Sequence, residues 1–207
     1  MIENLIYDFD GTLSDTYPVV TKVFLGILKE QGISATYQEV YDLLKVSYGH
    51  ALKHYGLYTP EFRALLDQRC AAAAMVDQKP FAEALELLRS AALTGKRNFI
   101  YTHSGKFVHD VIEKWGFTPY VTYTLDFSHG FPRKPDPTAL HFLCEKFDID
   151  ASTALMVGDR DIDIEVGHNA GMKGCLFDPE GYYSDCKAEF RVNCLSDIIK
   201  LLDEVEL

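Results

Sequence analysis

Apolar residues follow two different periodicities along most of the chain. Short β-favouring runs that end in polar residues alternate with longer segments whose apolar residues recur at helical spacing. The predicted strands cover residues 5–7, 98–101, 120–125, 154–157, 175–177 and 190–192, and the predicted helices cover 81–93, 107–115, 137–147, 162–170 and 196–202. This alternation predicts an α/β fold, with a Rossmann-like parallel sheet and helices on both of its faces.

The segment after the first predicted strand has a different pattern. From about residue 18 to residue 79 the spacing is helical throughout, and Thr59-Pro60 is typical of a helix start. We therefore expect an all-helical cap inserted into the α/β core. The predicted domains are a core formed by residues 1–16 and 80–207, and a cap formed by residues 17–79.

Ligands of open parallel sheets bind beyond the carboxyl ends of the strands, so the residues that follow each strand carry the candidate chemistry. The first strand is followed by Asp8 and Asp10 within the sequence DFDGTLSD, and a later strand is followed by Asp159 and Asp163 within GDRDID. Lys134 lies in the loop between them along the chain. Four carboxylates at neighbouring strand ends repel one another unless a cation neutralises them. Mg²⁺ binds a few carboxylates together with waters and substrate phosphate, so the pattern predicts a Mg²⁺ and phosphate site.

Two other interpretations of these acidic residues are weaker. Asp and Gly are favoured in turns, but turn formation alone does not require the pattern D-x-D-G-T-x-x-D. A calcium loop of the EF-hand type needs a glycine at its sixth position and a glutamate at its twelfth. Counted from Asp8 these positions hold Leu13 and Val19, and counted from Asp159 they hold Ile164 and Ala170.

Four motifs follow one another along the chain, DFDGTLSD, YTHS, RKPDP and GDRDID. Together and in this order they resemble those of the haloacid dehalogenase superfamily. The chain is similar to its phosphatases of the small helical-cap type, such as phosphoglycolate phosphatases, and to β-phosphoglucomutases. The resemblance implies that Asp8 is the nucleophile, Asp10 the general acid/base, and Thr102 and Lys134 the groups that contact the transferring phosphoryl group. The implied ligand sets are Gly11, Thr12, Thr102, His103 and Lys134 for phosphate, and Asp8, Asp10 (through its backbone carbonyl), Asp159 and Asp163 for Mg²⁺.

Three other sets of residues remain open. His103 stands where many relatives carry Asn, so it is either a substrate contact or a structural hydrogen-bonding residue. Asp161 lies between the two predicted metal ligands, and whether it contacts the metal site is left open. In the cap, His50 and Lys53 fall near a predicted helix junction where specificity residues often occur, although a solvated helix face explains them equally well.

The composition argues against nucleic acid and membrane surfaces as partners. The sequence has 20 Lys and Arg against 31 Asp and Glu, a net charge of −11, with no basic run to attract nucleic acid or an anionic membrane. The N-terminus lacks the pattern of a secretory signal, and five scattered cysteines suggest reduced thiols, so we expect a cytoplasmic protein. The predicted function is a Mg²⁺-dependent phosphatase of a small phosphorylated metabolite. The alternatives are a phosphosugar mutase and a catalytically silent binding module.

Overall fold

The computed structural model describes residues 1–204, with Asp203 and Glu204 described by their backbone only. The chain divides into two compact units, one formed by Met1–Ser14 with Pro80 onward and the other by Asp15–Lys79. The sequence analysis placed the first boundary two residues later. Within residues 1–204, no helix has the combined length and apolar character that crossing a bilayer requires.

Eight strands occur in the described part of the chain. They are β1 (Asn4–Tyr7), β2 (Ser14–Asp15), β3 (Lys79–Pro80), β4 (Arg97–Tyr101), β5 (Tyr123–Leu125), β6 (Ala154–Gly158), β7 (Lys173–Phe177) and β8 (Phe190–Val192). Six of them form one parallel sheet in the order β5-β4-β1-β6-β7-β8, while β2 pairs with β3. In this register Asn4 lies beside Arg97 and Ala154, so the ends of β1, β4 and β6 are adjacent.

Nine α-helices occur in the same described residues. They are α1 (Tyr17–Glu30), α2 (Tyr37–Val46), α3 (Tyr48–His54), α4 (Pro60–Asp77), α5 (Ala84–Leu93), α6 (Phe107–Lys114), α7 (Thr138–Phe147), α8 (Asp161–Asn169) and α9 (Ser196–Glu204). The last five belong to the unit that contains the large sheet. The predicted α/β class and parallel sheet are confirmed.

Helices cover both faces of the large sheet. Successive residues of a strand point to opposite faces, so neighbouring residues of β4 contact helices on opposite sides. On one side Phe99 packs in a core with Leu140 and Leu143 of α7. On the other side the Asn98 amide donates to the carbonyl oxygen of Leu88 in α5, at 2.8 Å. This buried amide links strand and helix through a satisfied hydrogen bond, which offsets the cost of burying a polar group.

Two predicted boundaries were wrong by a few residues. The helix predicted from residue 81 begins at Ala84, because residues 81–84 form a turn in which the Ala84 amide donates to the Phe81 carbonyl oxygen at 3.1 Å. The strand predicted from residue 120 begins at Tyr123, because Thr118–Tyr120 forms a 3₁₀ turn. Apolar periodicity alone does not distinguish such turns from the elements they precede.

The unit formed by residues 15–79 contains four helices and its own apolar core. Phe24, Leu44, Leu52 and Leu66, one from each helix, are almost fully buried there. Pro60 is the first residue of α4, and the Thr59 hydroxyl accepts a hydrogen bond from the Phe62 amide, as the Thr-Pro pair predicted. This unit therefore needs no strand from the large sheet to bury its apolar side chains.

Candidate active site

The predicted site residues of three motifs lie at the ends of adjacent strands. Asp8 follows β1, Thr102 follows β4 and Asp159 follows β6. All three are almost completely buried. Because β1 lies between β4 and β6, the sheet places Asp8 between the other two.

Lys134 joins two of the carboxylates. Its ammonium nitrogen Nζ donates to Asp8 Oδ1 at 2.6 Å, to Asp163 Oδ1 at 2.8 Å and to the Tyr101 carbonyl oxygen at 3.0 Å. These bonds use all three of its protons. Burial alone would lower the pKa of Lys134, but Asp163 and Asp8 raise it well above its ordinary value, so the side chain is a permanent cation.

Asp163 reaches this point because Gly158 leaves room for it. A Cβ atom at position 158 would overlap the Cβ atom of Asp163, which lies in the first turn of α8. The second oxygen of Asp163 accepts from the Arg160 amide at 3.2 Å. Burial alone would raise the pKa of Asp163, but Lys134 and Arg160 hold it below its ordinary value. Asp163 is therefore an anion with both oxygens bound by the protein.

Asp8 differs from Asp163 in having one uncommitted oxygen. Asp8 Oδ2 is buried and accepts no hydrogen bond within the described structure. Burial raises the pKa of Asp8 to about 8, because the attraction of Lys134 is opposed by the Asp163 and Asp159 carboxylates. The Asp8 carboxylate therefore lacks a hydrogen-bond donor at Oδ2, and the one ammonium group of Lys134 does not offset the negative charge around it.

The open side of Asp8 suits a divalent cation. Asp8, Asp159 and Asp163 each place one carboxylate oxygen within 4.8 Å of the others. Hard oxygen donors of this kind are the set that Mg²⁺ prefers. The three carboxylates therefore fit the predicted metal, and Asp8 Oδ2 has no hydrogen bond within the described structure to lose on binding it. The Asp10 side chain is not in this group, and metal binding by its backbone carbonyl stays a prediction.

Asp10 points its carboxylate toward the end of β4. Its Oδ2 accepts from the Ser104 hydroxyl at 2.6 Å and from the Thr102 hydroxyl at 3.2 Å. Ser104 was missed in the sequence analysis. The available signal was its position two residues after Thr102, in the bend that follows β4, where its amide donates to the Thr102 hydroxyl.

The predicted phosphate-binding residues around this centre have different surroundings. Gly11 has φ +89°, which favours glycine, and its amide donates to the Ser14 carbonyl oxygen at 2.8 Å. Thr12 is fully buried. His103 Nε2 accepts from the Lys134 amide at 3.2 Å, so His103 holds the loop that carries Lys134. Burial, together with the charges of Lys134 and Arg133, lowers the pKa of His103 to about 3, so its ring is neutral.

The remaining candidates are exposed. Asp161 begins α8, and its carboxylate accepts from the next amide, that of Ile162, at 2.8 Å. In the helical unit, His50 lies in the first turn of α3, where its amide donates to the Ser47 hydroxyl. Lys53 places its ammonium nitrogen 4.8 Å from the centre of the Tyr58 ring. These contacts do not test the predicted roles, so metal contact by Asp161 and substrate selectivity through His50 and Lys53 stay predictions.

The family model of haloacid dehalogenase-like hydrolases matches residues 5–177, a range that contains all of the strand-end residues described above. The chain belongs to this family. A hydrolase from Streptococcus pneumoniae TIGR4, known from its crystal structure, is 30% identical, and the match covers 98% of each chain with a TM-score of 0.69.

Two curated relatives of this haloacid dehalogenase-like hydrolase carry more specific names. A phosphoglycolate phosphatase of Vibrio parahaemolyticus is 39% identical over 90 residues, which cover 43% of this chain and 38% of the relative. A putative pyrophosphatase PpaX of Clostridium perfringens is 28% identical over 84% of this chain and 83% of the relative. The match to the first relative thus spans well under half of its length.

Proposed function

We propose that this haloacid dehalogenase-like hydrolase is a Mg²⁺-dependent phosphatase that acts through a phosphorylated Asp8. The observation that carries the proposal is the state of Asp8. Lys134 binds one of its oxygens, and the other is buried and accepts no hydrogen bond within the described structure. One carboxylate oxygen of Asp8 also lies within 4.8 Å of one oxygen each of Asp159 and Asp163. A cation bound by these carboxylates would offset the charge of an incoming phosphate and polarise its phosphorus.

In the first step we propose that a carboxylate oxygen of Asp8 attacks phosphorus. A new bond forms between that oxygen and phosphorus while the bond from phosphorus to the leaving-group oxygen breaks. Lys134 fixes the rotation of the Asp8 carboxylate through Oδ1 and offsets negative charge on the transferring group. Asp10, in its protonated form, gives its proton to the leaving alkoxide.

In the second step, water hydrolyses the aspartyl phosphate. The Asp10 carboxylate left by the first step removes a proton from the attacking water, and the bond between phosphorus and Asp8 breaks. Phosphate leaves, and Asp8 and Asp10 return to their starting states. Thr102 is proposed to donate to the phosphoryl group, and its position directly after β4, the neighbour of β1, supports this role.

The proposed substrate is a compact phosphorylated metabolite. The names of the two curated relatives point to phosphoglycolate and to pyrophosphate, which are small anions. The predicted cap residues His50 and Lys53 are proposed to adjust selectivity among such molecules. A cytoplasmic setting remains part of the proposal, in keeping with the five cysteines being free thiols.

Phosphate release tests the proposal. Purified protein is assayed with p-nitrophenyl phosphate and with a panel of phosphoglycolate, pyrophosphate and hexose phosphates, in Mg²⁺ and in EDTA. We expect release in Mg²⁺, almost none in EDTA, and none from the Asp8→Asn variant. Interconversion of hexose phosphates without release would instead identify the mutase, and inactivity toward every compound would favour the silent module.

A further inference from the structure

The Asp10 carboxylate is held at one oxygen by two hydroxyl groups. The Ser104 bond, at 2.6 Å, is in the short range typical of a hydroxyl donating to a carboxylate, whereas the Thr102 bond is 3.2 Å. Ser104 is therefore the closer of the two donors.

The Thr102 hydroxyl has one proton and can therefore donate only one hydrogen bond, either to Asp10 or to a phosphoryl group. Its oxygen also accepts a hydrogen bond from the Ser104 amide at 2.9 Å. In the structure the hydroxyl proton goes to Asp10. If Thr102 donates to the phosphoryl group in the reaction, Asp10 loses this bond, and the Ser104 hydroxyl becomes the remaining donor of the pair.

The backbone of Ser104 is itself fixed. Its carbonyl oxygen accepts from the Phe127 amide at 2.9 Å, and its amide donates to Thr102. Phe127 follows Asp126, a buried carboxylate that accepts from the Ser128 amide at 2.7 Å and lies 2.8 Å from His109 Nε2. The segment after β5 thus supports the backbone of Ser104 from which the hydroxyl reaches Asp10.

We propose that Ser104 is a positioning residue for the general acid/base Asp10. It holds the Asp10 carboxylate in the orientation from which the proton reaches the leaving-group oxygen, and it does so without touching phosphate. This inference rests on the proposed function. It predicts that loss of the Ser104 hydroxyl slows the reaction in proportion to how much the leaving group needs a proton.

The test compares Ser104→Ala with wild type on two substrates. A hydrogen bond to a charged group is typically worth about tenfold or more, so kcat for an alkyl phosphate should fall roughly tenfold while KM is unchanged. With p-nitrophenyl phosphate, whose leaving group needs little protonation, the fall should be less than about twofold. Ser104→Thr, which keeps the hydroxyl, should restore the alkyl phosphate rate. Ser90→Ala removes another serine–carboxylate bond, that to Glu86 at 3.2 Å in α5, and should change neither rate.

A double variant separates positioning from a general structural role. If Ser104 acts through Asp10, adding Ser104→Ala to Asp10→Asn should slow the alkyl phosphate reaction no further. A full additional tenfold loss, or equal losses of Ser104→Ala on both substrates, would overturn the proposal. Should Ser104→Ala fail to fold by circular dichroism, Ser104→Cys, a weak donor of similar size, takes its place in the same comparison. Retained activity in Asp8→Asn would instead refute the proposed function and leave the Ser104 comparison without its premise.

Discussion

Gly158 and Asp163 approach each other so closely that a Cβ atom at position 158 would overlap the Asp163 side chain. Gly158 is the last residue of β6, and Asp163 lies in the first turn of α8. The contact allows Asp163 to reach Lys134, whose ammonium group also binds Asp8. Because Gly158 has no side chain, the Asp163 carboxylate can lie close enough to β6 to bind Lys134.

Replacing Gly158 by alanine should therefore damage both stability and activity. Overpacking a tight site typically costs about 1–3 kcal/mol, and here the obstructed atoms belong to a residue already fixed by Lys134. We expect the free energy of unfolding in urea to fall by about 2 kcal/mol and phosphatase activity to fall by at least about tenfold. Gly26→Ala is the matched control, since nothing lies within 4 Å of a Cβ atom there and it sits inside a helix. That variant should be as stable as wild type or slightly more so, and an equal loss in both variants would contradict this explanation.

Lys134→Met should destabilise the protein by removing the cation shared by two buried carboxylates. Leaving a buried charge without its partner typically costs about 3–5 kcal/mol. We expect a loss of that order in EDTA by urea unfolding, with a smaller loss in Mg²⁺. Lys53→Met, at an exposed lysine, should change stability by less than about 0.5 kcal/mol. Equal stability of Lys134→Met and wild type in EDTA would mean that the three-way contact is not formed in solution.

The pH dependence of stability should reveal the raised pKa of Asp8. Burial raises this pKa to about 8, so between its unfolded value near 3.8 and pH 8 the folded protein binds more protons than the unfolded chain. The raised pKa of Asp8 therefore contributes fully to the free energy of unfolding at low pH, and this contribution is lost as the pH rises toward 8. In EDTA, the free energy of unfolding of wild type should therefore fall between pH 5 and pH 9 relative to that of Asp8→Asn. Parallel curves for the two proteins would contradict the shift.

The sequence predicted the fold well because the two periodicities differ along the chain and the motifs lie where strands end. The parallel sheet, the helical insertion and the placement of Asp8, Thr102 and Asp159 at strand ends all follow from local pattern and chain order, whereas the adjacency of their three strands is seen only in the sheet order. Contacts set by tertiary distance were not predictable in this way. The Ser104 bond to Asp10 and the His103 bond to the Lys134 amide join residues 94 and 31 positions apart. No periodicity reports such separations, and one hydroxyl or imidazole leaves no pattern of its own.

Asp159 and Asp163 should respond differently when each is replaced by asparagine. Both Asp163 oxygens already accept hydrogen bonds, one from Lys134 and one from the Arg160 amide. Its carboxylate therefore holds the protein structure together at this point. Asp159 Oδ1 is buried and accepts no hydrogen bond within the described structure, and Asp159 shares the oxygen cluster with Asp8. We therefore expect Asp159→Asn to weaken Mg²⁺ binding more than Asp163→Asn does, as measured by isothermal titration.

Stability should follow the opposite order. Asp163→Asn weakens the bond to a buried ammonium group, so its free energy of unfolding in EDTA should fall by about 2 kcal/mol or more. Asp159→Asn removes a like charge from the neighbourhood of Asp8, so its stability in EDTA should be closer to wild type. The two measurements together separate a metal ligand from a residue that holds the lysine. If Asp163→Asn lost more Mg²⁺ affinity and less stability than Asp159→Asn, these two roles would have to be exchanged.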